Sequence, residues 1–269
     1  MIASLRRLLR LDHARQLPAL PPGQRAYAIG DIHGRADLLA RLIDGIEADD
    51  AARNASTPCQ TTMILLGDLI DRGPDSAGVI ALARAWQQRR PVRILAGNHE
   101  EMLLEGLERL EVLRHLLQHG GRETALSFGV DAQAYLKATW EEAQALLRAA
   151  VPADVLDFLR SFEDHVQLGD YLFVHAGIRP GVPIEAQTPA DLRWIREPFL
   201  SCTDSHGAVI VHGHTITDEP ALRPNRIGID TGAFQSGRLT ALGLEGTRRW
   251  LIEARETDGV ISLSHTGLN

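Results

Sequence analysis

Cysteine is almost missing from this 269-residue chain: Cys59 and Cys202 stand far apart, in no spacing that would hold a metal. A disulfide framework and a thiolate zinc site are thereby excluded, and a reducing cytoplasm is the expected home. Long apolar runs are missing too. Nowhere do roughly 20 consecutive apolar residues occur, the length that a membrane-spanning helix needs. Near the start, leucines mix with Arg6, Arg7, Arg10 and Arg15. Those charges interrupt any secretory signal, so the segment reads as a solvated helix followed by a proline-containing linker over 18–22. Surplus positive charge is absent as well. The formal net charge of −7 favours solubility and gives no broad attraction to nucleic acid or anionic lipid. Repeats and low-complexity tracts are also lacking, which excludes a solenoid.

What is present suits a soluble globular protein with one sizeable core: 44% of residues are hydrophobic and 23% charged. Spacing predicts strands over 25–29, 61–66 and 92–95, followed by helices over 36–47, 76–88 and 101–118. Strand, tight turn and helix in succession indicate βαβ units and a largely parallel sheet. Between 101 and 162 the pattern is almost wholly helical, broken near Gly120, Gly121 and Pro152. It reads as a helical insertion over one side of the core. Strands dominate afterwards, over 165–168, 171–174, 208–211, 226–229, 238–244 and 248–252. The expected fold is α/β, an αββα sandwich of two packed sheets flanked by helices. The expected layout is an N-terminal helix and linker over 1–24, one domain over 25–255 and a tail over 256–269, its last ten residues frayed.

Compact polar clusters follow five of the predicted strands. They are Gly30-Asp31-Ile32-His33-Gly34, Gly67-Asp68-Leu69-Ile70-Asp71-Arg72-Gly73, Gly97-Asn98-His99-Glu100, His175-Ala176-Gly177 and Gly213-His214-Thr215. Open α/β sheets bind ligands beyond the carboxyl ends of their strands, so these clusters are expected along one edge. Glycine lets the backbone turn sharply and approach a ligand. Carboxylate, imidazole and amide oxygen together suit Mn²⁺, Fe or Zn²⁺. Any one Asp or His here has a bland reading as a helix cap or a satisfied polar residue. Five strand ends acquiring ligand-type residues independently is a much weaker explanation.

The series GDIHG, GDLIDRG, GNHE, HAG and GHT resembles the signature of the calcineurin-like metallophosphoesterases, in the phosphoprotein phosphatase branch with the bacterial and phage serine/threonine protein phosphatases. Trp194-Ile195-Arg196 and Ile229-Asp230-Thr231-Gly232 extend the likeness. The resemblance implies one metal on Asp31, His33 and Asp68 and a second on Asp68, Asn98, His175 and His214, with Asp68 bridging. It implies His99 as general acid with Asp71 behind it, and Arg72 and Arg196 as phosphate-binding residues. Two divalent ions, Mn²⁺ first and Fe or Zn²⁺ as alternatives, would serve hydrolysis of a phosphomonoester by a metal-bound hydroxide. Other polar neighbours are kept out: His212 as a non-ligand, Arg179 and Arg193 as rim residues, and Glu100 as a partner of a helix N-terminus. Ile216 stands where many relatives of the wider superfamily carry a further histidine. The segment from His115 to Gly121 departs from the bacterial phosphatases, which often place an aromatic residue and an asparagine before the Gly-Gly turn.

A serine/threonine protein phosphatase is the leading expectation, acting on a phosphorylated protein or a small phosphoester, with no nucleic acid or membrane partner. Its enzymatic rival is a dinucleoside polyphosphate hydrolase, whose members tend to lack an acid at the position of Asp71 and to read GNHD. A silent binding module of the same fold is the third possibility, disfavoured because every ligand position is filled by a competent residue.

Overall fold

The computed structural model describes residues 17–268; the expected N-terminal helix lies outside them. Strands β1 (Gln24–Ile29), β2 (Gln60–Leu65) and β3 (Val92–Ile94) lie side by side and parallel. Helix α1 (Ala36–Ser56) follows β1, α2 (Ser76–Gln87) follows β2, and α3 (Asn98–Gly106) follows β3. Five more helices complete the insertion: α4 (Leu110–Gln118), α5 (Gly121–Ser127), α6 (Ala132–Lys137), α7 (Trp140–Ala150) and α8 (Ala153–Arg160). The second half supplies β4 (His165–Leu168), β5 (Tyr171–Val174), α9 (Pro189–Trp194), β6 (Val209–His212), β7 (Ala221–Leu222), β8 (Arg226–Gly228), α10 (Ala233–Ser236), β9 (Arg238–Glu245), β10 (Arg248–Thr257) and β11 (Val260–Leu268). They form a six-stranded sheet, β11-β10-β9-β1-β2-β3, and a five-stranded sheet, β4-β5-β6-β8-β7. Both are mixed.

Alternation along the strands explains the layering, because successive side chains point to opposite faces. In β1, Ala26 and Ala28 join a core shared with Tyr171 and Phe173 of β5 and with Val209 and Val211 of β6. Their neighbours Tyr27 and Ile29 face the other way, against Leu38, Leu39 and Leu42 of α1. On the second sheet Leu172, Val174 and Ile210 point outward, toward Leu192, Ile195 and Phe199. The result is the expected αββα sandwich. Insertion residues Leu113, Leu116, Leu147 and Leu159 belong to the same apolar cluster as α1 and α2.

Three segments depart from the sequence reading, the first being the helix expected over 101–118, which is two, α3 and α4, broken between Leu107 and Arg109. Helix α1 runs on to Ser56, past the expected end at 47. Asp49 and Asp50 look like a polar break in sequence, yet Asp50 is buried and bonded to Arg25 at 2.8 Å, Thr61 at 2.7 Å and Arg90 at 2.6 Å. The stretch expected to fray pairs instead as β11, antiparallel to β10 in register from Thr257↔Val260 to Arg249↔Leu268. Asp258-Gly259, both with positive φ, make the tight turn that such a hairpin needs. Ile261 and Leu263 then pack at alternate positions against the helical side of the sheet. No helix among the described residues is long and apolar enough to cross a membrane.

Candidate active site

Every polar cluster that the sequence singled out leaves the carboxyl end of a strand: β1, β2, β3, β5 and β6. The pairs are parallel within each sheet, and the two sheets pack so that these ends converge, as Asp68, His175 and His214 show. Tight packing of loop against loop explains the glycines. A Cβ at residue 97 would lie 2.1 Å from Asp68 Oδ1, and one at residue 213 would lie 2.0 Å from Asp31 Oδ1. Backbone strain is concentrated here as well. Among the described residues, the non-glycines in left-handed conformation are His33, Asp68, Asp71, Arg72, His214 and Asp258. All but Asp258 belong to this site, and such conformations persist only where the surroundings enforce them.

Donor atoms gather in two buried groups that share Asp68: His33, Asp68 and His99 in one, and Asp68, His175 and His214 in the other. Asp68 Oδ2 lies 3.6 Å from His33 Nε2 and 3.4 Å from His175 Nε2. Asn98 Oδ1 lies 3.0 Å from His175 Nε2 and 2.8 Å from His214 Nδ1. Asp31 stands apart from both groups. It is buried, and its two oxygens accept the His214 backbone N–H at 3.1 and 3.0 Å.

The donor chemistry fits divalent cations. His33 Nδ1 bonds the Ile70 carbonyl at 2.8 Å and His175 Nδ1 bonds that of Leu66 at 2.7 Å, so each donates there and turns its Nε2 inward. His33 Nε2 and His214 Nε2 are buried with no hydrogen-bond partner. Charge tells the same story. Burial, with Asp230 nearby, holds the Asp31 carboxyl well above the usual range. Burial also works to raise Asp68, but His175 and His99 outweigh it and hold that carboxyl well below its ordinary value. Burial opposes a charge on His175, yet Asp68 prevails and pushes it up to about 10. His214, desolvated and beside His175, falls to about 3. Carboxylates packed this closely call for a compensating positive charge.

His99 and Arg72 form a second arrangement beside the first. His99 Nδ1 meets Asp71 Oδ2 at 2.6 Å, and its Nε2 lies 3.0 Å from Arg72 Nη2. Although the ring is within reach of His33 and Asp68, its Nε2 therefore faces a guanidinium, a setting that suits an anion better than a cation. Burial opposes protonation of His99, but Asp68 and Asp71 more than offset it and raise its pKa. Arg72 lies over the Phe234 ring at 4.9 Å. Exposed Arg196 reaches the His214 carbonyl at 3.5 Å, so the two arginines flank the cluster.

The residues set aside in sequence find other work. His212 Nδ1 bonds the Gly213 carbonyl at 3.0 Å and its ring packs edge-on against Phe199, outside both donor groups. Arg193 pairs with Glu101 and Asp164, each at 2.7 Å, and Arg179 pairs with Asp191 at 2.7 Å. Glu100 does more than cap its helix. Its carboxylate accepts the backbone N–H groups of Gly97 at 2.9 Å, Asp68 at 3.0 Å and Leu69 at 2.8 Å. It thus ties two donor-bearing loops together, and burial raises its pKa to about 7. Sequence reasoning also gave no role to Asp230, which is buried with Oδ2 unpartnered, or to Thr124. Asp230 had a signal, its place directly after a strand; Thr124 had none.

A model of the calcineurin-like phosphoesterases matches residues 25–267. The chain belongs to that family. With it goes metal-dependent hydrolysis of phosphoesters. An asymmetrical bis(5'-nucleosyl)-tetraphosphatase of Halalkalibacterium halodurans is 28% identical over 80% of this chain and 87% of its own. Serine/threonine-protein phosphatase 1 of Salmonella typhimurium is 29% identical over 81% of this chain and 90% of its own. Among solved structures, one named provisionally as a diadenosine tetraphosphatase superposes with a TM-score of 0.59 at 19% identity, covering 93% of this phosphoesterase and 98% of that chain. That last likeness speaks for the fold alone.

Proposed function

We propose that this phosphoesterase hydrolyses dinucleoside polyphosphates of the diadenosine tetraphosphate type. The observation that carries the reaction is the buried Asp68, with histidine nitrogens on two sides and Arg72 and Arg196 flanking them. The substrate class rests on the tetraphosphatase likeness, which spans four-fifths of the chain. Trp194, two residues before Arg196, joins His115 and Met102 around a cavity of about 250 Å³ whose rim also carries Glu101, Glu105 and Glu111.

In this reading Asp31, His33 and Asp68 would hold one cation, and Asp68, Asn98, His175 and His214 the other. Two divalent ions, manganese in the first instance, would supply Lewis acidity that offsets charge on phosphate oxygens and acidifies water. Arg72 and Arg196 grip the phosphate, each with a planar fork that matches two oxygens. His99 passes a proton from Nε2 to the departing oxygen, and Asp71 fixes the ring that carries it. The proposed home is cytoplasmic, in keeping with two free cysteines.

One observation favours a protein phosphatase instead. A nucleotide phosphate departs with little help, whereas a seryl or threonyl oxygen needs a proton, and here the His99–Asp71 pair is complete. A panel of diadenosine tetraphosphate, phosphoserine and phosphothreonine peptides, and an aryl phosphate, each assayed with Mn²⁺, decides between them. The expected result is higher kcat/KM on the dinucleotide, abolished by chelation and restored by Mn²⁺. A hundredfold preference for phosphopeptide, about 3 kcal/mol in transition-state binding, would transfer the assignment. Full activity in metal-free protein would end both readings.

A further inference from the structure

None of the expected site residues lies in the helical insertion over 101–162, but one of its side chains reaches the proposed proton donor's partner. Thr124, on α5 and fully buried, donates to Asp71 Oδ1 at 2.5 Å. The other Asp71 oxygen holds His99 Nδ1 at 2.6 Å. The Asp71 backbone N–H is shared between Thr124 Oγ1 and Ser76 Oγ, both at 3.0 Å, and the two hydroxyls lie 2.9 Å apart. Only one arrangement of protons satisfies all four contacts. Thr124 gives its proton to Asp71, so Ser76 must give its own to Thr124, and both hydroxyl oxygens accept from the Asp71 amide. Asp71 has a φ of 72°, a left-handed conformation that these bonds help to hold. The same insertion steadies the next residue: Arg72 N–H donates to the Gly120 carbonyl at 3.0 Å.

We infer that Thr124 is a positioning residue for proton donation: with Ser76 behind it, it locks Asp71 so that His99 presents its Nε2 proton to the departing oxygen. The inference rests on the reading of His99 as the donor. It makes the insertion a working part of the site. A bond that only stabilised the fold would affect every substrate alike. A bond that aims a proton matters most where the leaving group is poor, because small misplacements cost rate where a proton must move.

The test uses the full chain with Mn²⁺ and two probes, p-nitrophenyl phosphate with a good leaving group and phenyl phosphate with a poor one. Thr124→Val keeps the shape and removes the hydroxyl. It should lower kcat on phenyl phosphate on the order of tenfold more than on p-nitrophenyl phosphate, with metal content per chain unchanged. Thr124→Ser should restore the wild-type ratio. Ser76→Ala should give a smaller shift in the same direction, and it decides the matter should Thr124→Val not fold. His99→Asn, run in parallel, separates the two ways of failing. If His99→Asn is selective against phenyl phosphate while the Thr124 and Ser76 variants slow both probes equally, the positioning role is overturned and the donor stands. If His99→Asn is itself unselective, the donor assignment falls and this inference falls with it.

Discussion

Replacing Gly97 with alanine asks whether the loops around Asp68 can move. The new Cβ would stand 2.1 Å from Asp68 Oδ1, 2.5 Å from its backbone nitrogen and 2.9 Å from its Cγ. Asp68 has little freedom to retreat. Oδ1 accepts the His99 N–H at 3.0 Å, its own N–H is taken by Glu100 at 3.0 Å, and its φ is 49°. Relief must therefore come from backbone shifts, and overpacking of this kind typically costs about 1–3 kcal/mol. For a chain of this size that corresponds to a fall in Tm of roughly 2–12 °C. Calorimetry on chelated protein reads the clash without any contribution from metal. Gly267→Ala is the control, since a Cβ there meets nothing within 4 Å. Elemental analysis after Mn²⁺ loading should show that Gly97→Ala binds less metal, because the carboxylate it displaces is proposed to serve both ions. An alanine variant that melts with the control and carries the wild-type complement of manganese would refute this account of the loop packing.

Asp68→Asn and Asp71→Asn should part company: the first should shed metal and lose activity on every substrate, while the second keeps its metal and slows poor leaving groups selectively. Metal stoichiometry measured beside rates on two leaving groups checks this, and equal metal loss in both would contradict the division of labour. His212 supplies a pH test. Burial lowers its pKa from 6.5 to about 4, so the unfolded chain binds a proton there that the folded chain refuses. Its contribution is fully present above pH 6.5 and is lost as pH falls toward 4, amounting to about 2 kcal/mol between pH 7 and pH 5. Urea unfolding at both pH values should show a smaller acid loss in His212→Gln than in the wild type; equal losses would show that His212 is not the group responsible.

The polar clusters were legible in sequence because each sits beside its own turn. Asp31, Asp68, Asn98 and His214 each follow a glycine, and a strand pattern stands just before it. With β1, β2 and β3 parallel in one sheet and β5 and β6 parallel in the other, the packing of the two sheets brings the clusters together. Thr124 was illegible for the opposite reason. It lies 53 residues from Asp71, on a short helix whose pattern says only that it is amphipathic, and its significance comes from packing alone. The end of α1 was misread because Asp49 and Asp50 are polar, and sequence does not reveal that Arg25, Tyr27 and Trp250 wait opposite them. The final strand was missed although Asp258-Gly259 between alternating residues is a recognised hairpin signal.

Position and cost are linked in this site. Five non-glycine residues adopt left-handed backbone around it, each at a cost on the order of 1–3 kcal/mol in isolation. Asp31, Asp68, Asp230 and Glu100 are buried together, which is unfavourable for carboxylates. Neither feature helps the fold to form, and both are held by neighbours that do little else. Glu100 gathers three backbone N–H groups from two loops, and Thr124 and Ser76 grip one amide and one carboxylate oxygen between them. The apolar clusters on either side of the six-stranded sheet supply the stability that these loops consume. Cation binding would then act on both terms at once, neutralising the carboxylates and fixing the strained turns, so that folding and metal affinity are coupled through the same residues.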